Sequence, residues 1–187
     1  MRPVRLAIPD QSLVLLVGPS GAGKSTFAAR HFAPTEIVSS DDLRARVADD
    51  ANDQAASGEA FRILALIVNG RLRRRLLAVV DATNLRARNR RRLAALAARY
   101  GVPVVAIALD VAEPLLLANN RRRAGRQVTD DVVRDQADLM RTALAELPAE
   151  GYAARHVLRG PDQIASADVV RRPGAARAGL APTLGSS

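Results

Sequence analysis

Apolar positions along the chain follow two rhythms. Apolar blocks near 13–17, 76–80 and 102–109 show no alternation, the pattern of short strands buried on both faces of a parallel sheet. Between them apolar residues recur every three or four positions, the pattern of helices with one core face. Over 54–75 this spacing sets Phe61, Leu64, Val68, Leu72 and Leu76 inward, with arginines crowding the last turns. Over 86–100 it sets Leu93, Leu96, Ala97 and Tyr100 inward and six arginines on the other faces, and Gly101 closes the helix. A capped helix runs on from Thr129 and Asp130 to 147 with Val133, Ala137, Met140 and Leu144 inward. Weaker signals predict strands at 35–39 and 153–158. They also predict helices at 24–32, 40–47 and 161–167, and one after Glu113 and Pro114. Residues 1–11 read as an irregular lead-in, and 173–187, rich in Gly, Ala, Pro and Ser, as a disordered tail.

Strands alternating with helices predict an α/β fold, a five-stranded parallel sheet with helices on both faces and right-handed crossovers. Ligands of such sheets bind beyond the carboxyl ends of the strands. Each unusual polar cluster of this chain falls at such an end.

A length of 187 residues fits one domain, expected over 1–172, and suffices to bury a full core. The apolar blocks are too short to cross a bilayer, so no membrane partner is expected. The first eleven residues hold arginines with Pro3, Pro9 and Asp10 and no apolar core, unlike a signal peptide, so a cytoplasmic location is expected. The absence of cysteine excludes disulfides, thiol chemistry and cysteine-ligated zinc, and two distant histidines, His31 and His156, argue against a histidine metal site. A net charge of +9 suits a polyanionic partner, although solvated arginine-rich helix faces account for part of it. Aromatic content of 3% argues against a single-strand binder built from stacking platforms.

The first apolar block runs into Gly18, Pro19, Ser20, Gly21, Ala22, Gly23, Lys24, Ser25 and Thr26, a phosphate-binding loop between strand and helix. Its glycines permit the tight turn that aims successive N–H groups at phosphate oxygens. Lys24, the only lysine in the chain, supplies a compact charge for the β- and γ-phosphates. Ser25 supplies a hydroxyl for Mg2+, and the helix directs its positive end at the same anion. The loop names a nucleotide but not a reaction; in a chain this small, phosphoryl transfer fits better than mechanical work.

A kinase also needs a carboxylate for the acceptor hydroxyl and cations for the transferring phosphoryl. Asp41, after the second strand, is the candidate general base; the alternative is a helix cap. Arg44, one turn on, is placed to hold a phosphate of the acceptor, the alternative being an ion pair with Asp41. After the third strand, Asp81 is suited to a magnesium-bound water, with Thr83 and Asn84 toward the acceptor; alternatively Asp81 caps the next helix. Arg123 and Arg126 read as lid arginines closing over the ATP phosphates, or as a solvated helix end.

Five segments, in order, resemble one family. They are the loop from Gly18 to Phe27, Glu36 to Asp41 with Arg44, Asp49 to Gln54, Val79 to Asn84, and Arg123 to Val128. The family is the 5′-OH polynucleotide kinase domain of bacterial polynucleotide kinase-phosphatase RNA end-healing proteins; the chain is more distantly similar to phage polynucleotide kinases. The resemblance runs from about Ser12 to Arg172. It implies a P-loop kinase fold with a helical lid, ATP and Mg2+ as cofactors, and transfer of the γ-phosphate to a 5′-OH end of RNA or DNA. It further implies Lys24 and Ser25 on ATP and Mg2+, Asp41 as general base, Arg44 on the acceptor's 3′-phosphate, and Arg123 and Arg126 in the lid. Larger family members carry phosphatase and ligase modules; a lone kinase domain could heal ends with separate phosphatase or ligase partners, or could have drifted to another acceptor. Two other readings stay open: a kinase of a small-molecule hydroxyl such as a nucleoside or an antibiotic, and an ATP-dependent regulatory or binding protein.

Overall fold

The computed structural model describes residues 3–122 and 128–173. Five strands, β2 (Leu13–Val17), β3 (Ile37–Ser39), β4 (Ala78–Asp81), β5 (Val104–Asp110) and β6 (Ala154–Arg159), form one parallel sheet in the order β3-β4-β2-β5-β6. Helices α1 (Lys24–His31), α2 (Ser40–Ala48), α3 (Ser57–Arg73), α4 (Ala87–Ala98), α5 (Glu113–Arg121) and α6 (Asp130–Glu146) connect them. β2 is the central strand, hydrogen-bonded to β4 on one side and β5 on the other. Its five apolar residues are fully buried, as an unalternating block must be when both faces are covered. Val14 and Leu16 pack with Phe27, Phe32 and Leu116 on one face, while Leu13 and Leu15 pack with Leu64, Leu72 and Leu93 on the other. Among the described residues no helix is long and apolar enough to cross a membrane.

The ends of the chain depart from expectation. The lead-in is a strand, β1 (Val4–Pro9), and the helix expected over 161–167 is shorter, α7 (Gly160–Ala165), and gives way to a further strand, β7 (Ala167–Arg172). β1 and β7 pair in parallel as a second, two-stranded sheet with Val4 opposite Ala167. Leu6 and Ile8 are buried in the main core, and His156 Nε2 lies 3.1 Å from the Ala7 carbonyl oxygen. Arg171 binds both carboxylate oxygens of Glu36 at 2.8 and 2.6 Å, holding this sheet against the turn before β3. Leu76, expected inward, is exposed because α3 ends at Arg73 and the chain turns through Arg75 at φ 59. The tail expected beyond Pro173 lies outside the described residues.

Candidate active site

The loop 18–23 leaves the central strand and enters α1 at Lys24. Gly21 and Gly23 have φ of 84° and 87°, conformations that side chains resist. A Cβ at Gly21 would also sit 2.5 Å from the Leu116 carbonyl oxygen, so the loop can approach α5 only with glycine there. Among the described residues three hydrogen bonds hold the loop from outside: Gly18 N to Thr83 O (3.0 Å), Ser20 N to Gln136 Oε1 (2.7 Å) and Asn119 Nδ2 to Gly21 O (2.9 Å). Lys24 is buried and its Nζ donates to Pro19 O at 2.8 Å. Above the loop a cleft of about 340 Å³ is lined by Gly21, Lys24, Ser25, Thr26, Asn119 and Arg122. A helix N-terminus, one buried ammonium and an exposed hydroxyl beside an open cleft fit the phosphates of ATP, with Ser25 to ligate Mg2+.

Lys24, Ser25, Ser20, Asp41, Asp81 and Thr83 surround one smaller cavity. The strand ends bring them together, since Ser39 on β3 pairs with Asp81 on β4. Asp41 does not cap its helix; Ser39 Oγ accepts from Asp42 N at 3.2 Å. Its carboxylate instead accepts from Arg44 NH2, the ion pair that the spacing offered as one alternative. Arg44 is 4% exposed and its Nε donates to Ala51 O at 2.9 Å, so the guanidinium is fixed rather than solvated. Asp81 caps no helix either: it is buried, facing Lys24 and Ser25.

Burial raises the Asp81 carboxyl above its ordinary pKa, against the pull of Lys24 and the Ser25 hydroxyl. A carboxyl raised by folding favours the native state while it is protonated. That contribution is present below the unfolded pKa and is lost as pH rises through the raised one. Asp81→Asn is therefore expected to raise the melting temperature of the nucleotide-free protein at neutral pH and to leave little difference at low pH. Thermal melts across that window check it, and a variant less stable at neutral pH would contradict it. The same substitution is expected to weaken Mg2+-dependent ATP binding, read by calorimetry.

Beyond the cavity lies a second cleft of about 370 Å³ between α3, the 83–89 turn and α6, lined by Arg44, Gln54, Phe61, Thr83, Arg86 and Gln136 among others. Thr83 borders both spaces, and Gln136 reaches from the second cleft to the loop. Asn84 is not part of either lining. It is 2% exposed at φ 48, and its Nδ2 donates to Leu16 O at 2.8 Å, pinning β2 to the turn after β4. Arg123 and Arg126 lie outside the described residues. The flanks of their segment are tied by Asn120, which is buried and exchanges hydrogen bonds with both Val128 O (2.7 Å) and Val128 N (3.2 Å).

One residue that periodicity puts on the wet face of α4 is the largest fully buried side chain. Arg90 donates to the Asn84 and Leu85 carbonyls at 2.9 and 2.6 Å, to Glu146 at 2.8 Å and to Glu150 at 2.5 Å. Burial alone would raise Glu150, but hydrogen bonds from Arg90 and Tyr152 bring its carboxyl below the ordinary range. Asn119 and Gln136, which hold the loop from α5 and α6, and Arg122, which lines its cleft just past the end of α5, were not singled out by the sequence because they lie far from the loop along the chain. A signal was present only for Arg122, inside an arginine run.

A family model described as an AAA domain matches residues 13–147. None of the curated proteins matches the sequence. Among solved structures, a chain of the Pnkp1/Rnl/Hen1 RNA repair complex aligns with a TM-score of 0.62 and 19% identity over 78% of this chain and 47% of its own, so the present chain spans under half of that protein. A gluconokinase from Sinorhizobium meliloti 1021 aligns with a TM-score of 0.54 and 18% identity over 84% of this chain and 87% of its own. A shikimate kinase from Acinetobacter baumannii, in complex with shikimate, aligns with a TM-score of 0.51 and 21% identity over 77% and 82%. These likenesses share a kinase-type P-loop fold.

Proposed function

The chain belongs to the AAA domain family, and from that premise we propose that it transfers the γ-phosphate of ATP to the 5′-OH end of RNA or DNA. One observation carries the reading. Lys24, Ser25, Asp41 and Asp81 share a cavity, and its lining residue Thr83 also lines a cleft walled by the fixed cation Arg44 and by Arg86. The donor lies on the loop side and the acceptor on the other. The acceptor oxygen attacks the γ-phosphorus as the bond to the β,γ-bridging oxygen breaks, and Asp41 receives the hydroxyl proton. Arg44 keeps the Asp41 carboxylate oriented and presents positive charge to an acceptor phosphate. Ser25, with Asp81 through a water, would hold Mg2+, which would supply positive charge for the phosphates. Asn84 acts through the turn that presents Thr83, not by touching the acceptor. The likeness to an RNA repair complex chain agrees with this acceptor class.

A second reading, a sugar-acid or other small-molecule kinase, is favoured by the gluconokinase and shikimate kinase, whose lengths are mostly covered. Release of ADP from Mg2+·ATP in the presence of a 5′-OH hexanucleotide, a nucleoside, gluconate or shikimate separates the two. The proposal expects the hexanucleotide to give the highest kcat/KM. A higher value for a sugar acid would replace it with the second reading.

A further inference from the structure

The acceptor cleft does not end at Phe61. A groove of about 310 Å³ continues between α3 and α4, sharing Ser57, Phe61 and Asn89 with that cleft. Its floor is apolar: Leu64 and Leu93 are buried, with Phe61 and Leu96 half-buried above them. Its rim is cationic. Arg88 and Arg92, four residues apart, stand on the groove face of α4 about 6 Å apart along the axis. Both are exposed, and neither has a carboxylate partner among the described residues. The third rim cation, Arg62, is paired with Glu59 at 2.5 Å, and among the described residues no carboxylate lines the groove.

We infer that this groove carries the acceptor strand onward from its phosphorylated end, so that the protein grips a single-stranded nucleic acid over several nucleotides. The inference rests on the function proposed above. Two exposed arginines in register along a helix take successive phosphates and carry the grip, as a chain too poor in aromatic residues for a row of stacking platforms requires, while Phe61 on the apolar floor takes the face of a single unpaired base. A sugar acid would be held entirely within the cleft and would have no use for such a rim. A duplex would present no base faces to the floor.

The test uses acceptors of graded length. For the unmodified protein, kcat/KM is expected to rise from a nucleoside 3′-monophosphate to a dinucleotide to a hexanucleotide, chiefly through KM. The double substitution Arg88→Gln/Arg92→Gln is expected to lower kcat/KM for the hexanucleotide on the order of tenfold more than for the nucleoside 3′-monophosphate. Binding of the same hexanucleotide, followed by fluorescence anisotropy, is expected to lose about 1.4 from its log–log salt slope, two single-strand phosphate contacts. If hexanucleotide is phosphorylated without length dependence, and the double variant matches the unmodified protein in slope and kcat/KM, the strand leaves by another route. The groove inference is then overturned while the proposed function stands. Failure of every nucleic acid acceptor to be phosphorylated overturns both.

Discussion

Asp41→Asn is expected to lower kcat for phosphoryl transfer by about 10²- to 10⁴-fold, the range that a positioned general base contributes. The amide has nearly the same shape, so α2 and its Ser39 cap persist, and its oxygen can still accept from Arg44. What it cannot do is take the acceptor proton as the new bond to phosphorus forms. ATP affinity is expected to change less than kcat, because the hydrogen bonds that hold the loop come from Thr83, α5 and α6. Single-turnover transfer together with ATP binding by calorimetry measures both. An unchanged kcat would remove the base assignment and leave Asp41 as the residue that orients Arg44.

The largest structural effect is expected at Arg90. Arg90→Ala removes a guanidinium with no exposed surface and leaves Glu150 and the Asn84 and Leu85 carbonyls without it. Breaking a buried pair by deleting one partner costs about 3–5 kcal/mol. For a chain of this size each kcal/mol moves the melting temperature by roughly 2–4 °C, so a fall of roughly 6–20 °C is expected. Arg90→Lys is expected to recover only part of it, since an ammonium lacks the planar fork that reaches two carboxylates and two carbonyls at once. Thermal unfolding of both variants measures this. A melting temperature unchanged in Arg90→Ala would contradict the assignment. Because the two carbonyls belong to the turn that carries Thr83, the variant is also expected to lose acceptor affinity before it loses ATP affinity.

The three inner strands were legible because they are apolar without alternation, and α3, α4 and α6 because each carries one apolar stripe, while the edge strands showed only as short segments between helices. Leu13–Val17 and the loop after it could be placed by composition alone. Asp41 and Asp81 were legible for a related reason: each stands at the end of such a strand, and parallel topology brings strand ends to one edge. β1 and β7 were not, because the partner of Val4 is Ala167, β7 is half polar, and Pro3 and Pro9 at the ends of β1 suggested a loop. Arg90 was hidden by its chemistry. An arginine among arginines on a helix reads as solvated, and only the arrival of Glu146 and Glu150 from the far end of α6 makes its burial possible. Asn84 shows the converse. Its place after Asp81 suggested an acceptor contact, yet its left-handed backbone turns the amide inward to Leu16.

The acceptor is tested most directly by a pair of oligonucleotides identical except at the 5′ end, one a hydroxyl and one a phosphate, each incubated with γ-labelled ATP and Mg2+. The proposed function predicts label on the hydroxyl-ended strand, located at its 5′ terminus, and none on the phosphorylated one. Label on neither, with ATP bound and the protein folded, would contradict it.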